Sequence, residues 1–188
     1  MMSYANWYVR AATCLDPGRA ENVLLNSFNE PEYESESGWA LVCLAGKNAE
    51  RRWVPKGPDY RIVWEARSGH RESGFNEDQR QRYAIVIKNR VLTLLDERTK
   101  DDEPDKYNNR LKGLATMVAT LDGRNSADLV MNVLALPGEW DGWTRVEALE
   151  ELLFSGEELP VEATLKVINP TVEKTMIWGC ITNKTLFF

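Results

Sequence analysis

An α+β fold is what the sequence predicts, with helices packed on one face of a mixed or antiparallel sheet built from N-terminal and C-terminal strands. β-type segments gather toward both ends of the chain and helical periodicities fill its middle, roughly β-α-β-β-α-α-α-α-β-β, which is the α+β pattern. The chain of 188 residues, 43% of them apolar, is long enough for one substantial core, so the expectation is a single domain spanning 1–188.

The elements follow in order. Asn6 to Thr13 alternates Trp7, Val9 and Ala11 against Tyr8, Arg10 and Ala12, the period of a half-buried strand. Asp16-Pro17-Gly18 opens a helix to about Phe28, because Asp caps and Pro is tolerated in a first turn. Asn29 to Ser37 carries Glu30, Glu32, Glu34 and Glu36 at alternate positions around Pro31 and reads as an exposed loop. Gly38 to Ala45, GWALVCLA, is a continuous apolar run with the composition of a central strand. From Asp59 to Arg67, Tyr60, Ile62, Trp64 and Ala66 alternate with Arg61, Val63 and Glu65, the clearest strand pattern in the chain.

Asn76 stands three residues before Gln79, and Tyr83, Ile87, Val91 and Leu94/Leu95 recur at helical spacing up to Arg98. Together they predict a capped long helix, against a hairpin reading in which YAIVI and RVLTLL flank Lys88-Asn89. The charged DDEPDKYN connection is where a subdomain boundary near 100–108 would fit. Leu111, Leu114, Ala115, Val118 and Leu121 predict a helix ending at Asp122-Gly123, and Ser126 to Leu136 another. A further helix follows PGEWDGW, with Trp143, Val146, Leu149, Leu152 and Leu153 inward and Glu147, Glu150 and Glu151 outward. Glu162 to Ile168, Val172 to Ile181 and Lys184 to Phe188 read as closing strands around the Asn169-Pro170 turn.

Charge is distributed unevenly about the net −6. Residues 1–48 hold 3 basic and 6 acidic groups, residues 49–90 hold 10 and 6, and residues 91–188 hold 10 and 17. A basic middle bracketed by acidic ends gives a polar field if the segments occupy different faces. The N-terminus lacks a leader-like apolar segment, and no apolar run approaches the ~20 residues that span a bilayer. Cys14, Cys43 and Cys180 are odd in number, widely spaced and flanked by apolar residues, as buried thiols in a reducing compartment would be. The expectation is a cytoplasmic protein without membrane association.

Catalytic signatures are missing. His70 is the single histidine and falls in a polar Ser-Gly-His-Arg turn, where an exposed imidazole is the ordinary outcome. Cys14, just before a helix start, is the better placed thiol for reactivity, yet no nucleophile elbow surrounds it. There is no CxxC, HExxH, Walker A, GxGxxG or GxSxG, so neither metal, catalytic residue nor cofactor is expected. A non-enzymatic role is favoured.

Two surfaces remain as candidates. The first is acidic and Trp-containing: Glu32, Glu34, Glu36 and Trp39 in one segment, and Glu139, Trp140, Asp141 and Trp143 in another. Carboxylates gathered on one face imitate nucleic-acid phosphate, and Trp anchors interfaces. The partner would be a basic protein of a nucleic-acid-handling complex, engaged by a small inhibitor or adaptor of the phage or mobile-element kind. The alternative is single-stranded nucleic-acid binding by the basic stretch Arg51, Arg52, Trp53, Lys56, Arg61, Arg67 and Arg71, where arginines would contact phosphates and Trp53, Tyr60 and Trp64 would stack on bases. Oligomeric state is not encoded in any of these features.

Overall fold

A computed structural model describes residues 17–46, 74–137 and 142–156, together with positions 159, 161, 162, 164, 165 and 167. Of this part 82% is helical and none is strand, so the α+β expectation is overturned in favour of an all-helical architecture. The helices are α1 (Pro17–Ser27), α2 (Glu34–Ala45), α3 (Glu77–Thr99), α4 (Asn108–Leu134) and α5 (Gly142–Phe154), with a 3-10 turn over Pro104–Tyr107. An isolated antiparallel bridge joins Gly46 to Phe75. The strands expected at 6–13, 59–67, 172–181 and 184–188 lie outside the described residues.

Two expected strands are helices. GWALVCLA belongs to α2, in which Ser37, Gly38, Ala40, Leu41, Val42, Leu44 and Ala45 are buried. A helix enclosed on nearly all sides shows no polar face, so its sequence is indistinguishable from that of a central strand. The preceding alternation of glutamates is not a loop throughout: Glu34 and Glu36 occupy the first turn of α2, where backbone N–H groups favour negative charge. At the other end, positions 161, 162, 164, 165 and 167 are helical rather than extended.

The described residues divide into two compact units, the first drawn from Met1–Arg90 with Thr120–Asp122, the second from Val91–Ala119 with Gly123–Phe188. In the first, α1 presents Ala20 and Leu24 to the interior, with Phe28 just beyond its end continuing the four-residue spacing, and it packs against α2. The start of α3 is fastened to the end of α2, because the Asn76 amide donates to the Ala45 carbonyl at 2.7 Å. Asn76 also caps α3 by accepting the Gln79 amide at 3.4 Å. Tyr83, Ala84 and Ile87 are the buried positions of this part of α3. The reading of 76–98 as one helix is correct, and the hairpin alternative is not.

In the second unit, Val91 and Leu94 continue the buried stripe of α3, and Leu111, Leu114, Met117 and Val118 of α4 are fully enclosed. The acidic connection is a closed local structure. The Asp101 carboxylate accepts bonds from the Tyr107 hydroxyl and the Glu103 amide, both at 2.9 Å, and pairs with Lys106. Buried Asn108 donates from its side-chain amide to Asp105 at 3.0 Å, which fixes the entry into α4.

The unbroken course of α4 hides a local departure: Asp122 has φ −148° and ψ 40°, outside helical space. The helix end expected at Asp122-Gly123 is present: α4 is two helices that meet across a kink at Asp122, and the second covers most of the helix expected from Ser126 to Leu136. After it, Ser126, Val130, Val133 and Leu134 are buried. Gly123 faces α5 closely, and Leu152 and Ser155 are its neighbours. Val146, Ala148, Leu149 and Leu152 form the inner stripe of α5. Leu153 and Glu151 exchange their expected places, since Leu153 is exposed and Glu151 buried.

Candidate docking surfaces

The acidic residues expected to form one surface have unlike environments. Glu32 is exposed in the turn before α2, and Glu36 and Trp39 are half-buried on α2 itself, at i and i+3 and so on neighbouring positions of one face. Glu34 is only 3% exposed and its carboxylate accepts a bond from Arg90 Nε at 2.6 Å. A carboxylate so enclosed holds the fold rather than meeting a partner. Glu139, Trp140 and Asp141 lie outside the described residues, as does the side chain of Trp143. The whole basic set, Arg51, Arg52, Trp53, Lys56, Arg61, Arg67 and Arg71, lies outside them too, with Cys14, His70 and Cys180. Cys43 is half-buried and not in a disulfide.

The sequence patterns give no sign of a charged network that the first unit contains. Asp122, at the break in α4, pairs with Lys88 at 2.8 Å and with Arg80 at 3.5 Å. Arg80 also donates to the Leu121 carbonyl and, through Nε, to Glu77 at 2.9 Å. The Arg80 guanidinium, aided by a bond from Gln81, holds the Glu77 carboxyl well below its ordinary value, at about 2. Opposite charges thus neutralise one another around the break, and the arrangement is structural. Nearby, Arg82 pairs with Glu21 at 2.7 Å. Burial, with the Glu21 carboxylate beside it, raises the Tyr83 phenol above its ordinary value.

The acids of the 101–105 connection are also engaged. Lys106, the Glu103 amide and the Tyr107 hydroxyl lower Asp101 to about 2, and Arg98 lies 3.8 Å from Asp105. That segment is a folded turn with its charges partly neutralised.

The second unit carries a feature missed in the sequence. Leu153 and Phe154 end α5 at 43% and 55% exposure, and Val161 and Leu165 are 72% and 49% exposed. Val161 and Leu165 are helical residues four apart and therefore share a face. Arg145, in the first turns of α5, donates to the Val167 carbonyl at 3.4 Å, so Val167 lies beside the start of α5. Burial depresses the Arg145 guanidinium. The signal that could have found this feature is Leu152-Leu153-Phe154: three consecutive large apolar residues cannot all face inward from a helix. Among the described residues, no group of three metal-ligating side chains converges, and no helix is long and apolar enough to cross a membrane.

No protein-family model matches this chain, and neither a curated protein nor a solved structure does.

Proposed function

We propose that this chain is a non-enzymatic, cytoplasmic protein-interaction module that engages a basic protein of a nucleic-acid-handling complex, as an inhibitor or adaptor. The observation that carries the reading is the surface of α2 and the turn before it, where Glu32 is exposed and Glu36 and Trp39 are half-buried. An indole with accessible area beside carboxylates combines an apolar anchor with a field that attracts cations. Glu139, Trp140, Asp141 and Trp143 repeat the same residue pattern in the sequence.

The test is affinity capture with the whole chain from cell extract at low and high salt, comparing wild type with Trp39→Ala and with Glu32→Lys/Glu36→Lys. The expected result is a basic protein captured by wild type, weakened by salt and lost from both variants while circular dichroism is unchanged. Equal capture by the variants overturns the reading. Tight binding of purified chain to single-stranded DNA or RNA at low salt would replace it with direct nucleic-acid binding through Arg51 to Arg71.

A further inference from the structure

We infer that the outward face of α3 is where two copies of this chain pair, antiparallel and about a two-fold axis beside Asn89. The inference goes beyond the proposed function and makes no use of the surface of α2. α3 is a single helix from Glu77 to Thr99, so the positions that share a face follow from the helical repeat alone. Its buried side chains, Tyr83, Ala84, Ile87, Val91 and Leu94, gather on one side. On the opposite side Asp78, Arg82, Ile85, Asn89, Leu92 and Asp96 recur at alternating intervals of four and three, and all are exposed. That alternation is the spacing along which one helix pairs with another. Within the stripe Ile85 is 59% exposed and Leu92 is 52% exposed, two large apolar side chains on one water-facing line with half-buried Val86 beside them.

Charge selects the occupant and its direction. The exposed charges of α3 are Glu77, Asp78, Arg82 and Asp96, with Lys100 one residue beyond its end. Glu77 stands about a quarter turn aside and is held by Arg80. The half-buried cations along the flanks, Lys88, Arg90 and Arg98, are taken by Asp122, Glu34 and Asp105 of the same chain. What remains reads acidic, basic, acidic, basic at positions 78, 82, 96 and 100, placed symmetrically about position 89 with the sign inverted across it. A second copy laid antiparallel on this face brings Arg82 level with Asp96 of the other copy, Asp78 level with Lys100, and Leu92 level with Ile85 and Val86, each within about 1.5 Å along the axis. A parallel copy would set Arg82 on Arg82 and Asp96 on Asp96, and like charges repel. Arg82 already donates to Glu21, and Asp96 meets Lys100. A guanidinium has further N–H groups and a carboxylate accepts several bonds, so each can serve both partners. Exposed ion pairs add little strength, so the apolar side chains supply the contact and the charges set its direction. A two-fold contact closes on itself and stops at the dimer.

The experiment is sedimentation velocity of the full chain from low to high micromolar concentration. A reversible monomer–dimer equilibrium is expected, since a contact of one helix face is small and therefore weak. Ile85→Ser/Leu92→Ser, at exposed positions that leave the core intact, should weaken the dimer about tenfold or more. Arg82→Glu should weaken it as well, and Asp96→Arg added to Arg82→Glu should restore it, because the pair is then reversed across the two-fold axis. Such a rescue cannot act through Glu21, because position 96 lies about 21 Å along the helix from position 82. Circular dichroism should be the same throughout. A chain that stays monomeric at the highest concentration, a dimer indifferent to Ile85→Ser/Leu92→Ser, or no rescue by the exchanged charges overturns the inference, and so does a monomer whose α3 face binds a different protein.

Discussion

Gly123 lies so close to Ser155 that a Cβ on the glycine would stand 2.6 Å from Ser155 Oγ and 2.9 Å from Ser155 Cβ. This approach, one residue beyond the break at Asp122, brings α4 against the Leu152 and Ser155 side chains at the end of α5. Alanine is ordinarily the better helix former by about 1 kcal/mol, but here the contact reverses the sign. Gly123→Ala is expected to lower stability by about 1–3 kcal/mol in urea denaturation, and Ser155→Gly in that background to recover most of the loss. Gly113 is the internal control, since a Cβ there meets nothing within 4 Å. Gly113→Ala should stabilise by about 0.4–1 kcal/mol. A stabilised Gly123→Ala chain would show that the two helices do not meet this way.

Glu34 and Arg90 make the most enclosed ion pair described above, with side-chain exposures of 3% and 22%. Removing one charge leaves the other in a poorly solvated place. Glu34→Gln should therefore destabilise by about 1–3 kcal/mol, and Glu34→Gln/Arg90→Met should cost less than the sum of the singles. Glu32→Gln, on an exposed turn residue, should change stability by less than about 0.5 kcal/mol. Equal effects at Glu32 and Glu34 in thermal denaturation would contradict the burial difference.

Acid sensitivity follows from Asp101 and Glu77, each held at about 2 against ordinary values of 3.8 and 4.5. Both carboxyls are depressed in the folded chain, so their contribution is fully present above their ordinary values. It is lost as pH falls through that range toward 2. Asp101→Asn and Glu77→Gln should each flatten the fall of the urea midpoint below about pH 4.5. NMR titration of the Asp101 carboxyl should give a midpoint near 2; one at the ordinary value of 3.8 would mean that its bonds to Lys106, Glu103 and Tyr107 are not kept in solution.

Tyr83 is fully buried, and its hydroxyl makes no hydrogen bond among the described residues. A buried hydroxyl without a partner retains its desolvation cost, so Tyr83→Phe should be neutral or stabilising by up to about 1 kcal/mol. Tyr83→Ala, which empties the site, should cost about 3–5 kcal/mol. A large loss in the phenylalanine variant, measured by denaturation, would reveal a bond that the hydroxyl makes after all.

Local chemistry alone determined α1 from Pro17, the course of α3 from Asn76 and the spacing of Tyr83, Ile87, Val91 and Leu94, and the interruption of α4 at Asp122-Gly123. Caps, periodicity and weak helix formers act over one or two turns, so a single segment contains the information. Tertiary structure decided what burial decides. GWALVCLA is a helix covered nearly all round, and an apolar run carries no period to announce that. Among the alternating glutamates, Glu34 is taken inside because Arg90, far along the chain, meets it there, while Glu32 remains in water. Asp122 is held at its break by Lys88 and Arg80 from a different helix. Leu153, Phe154, Val161 and Leu165 are exposed, and which apolar side chains are left outside is settled only when the elements pack.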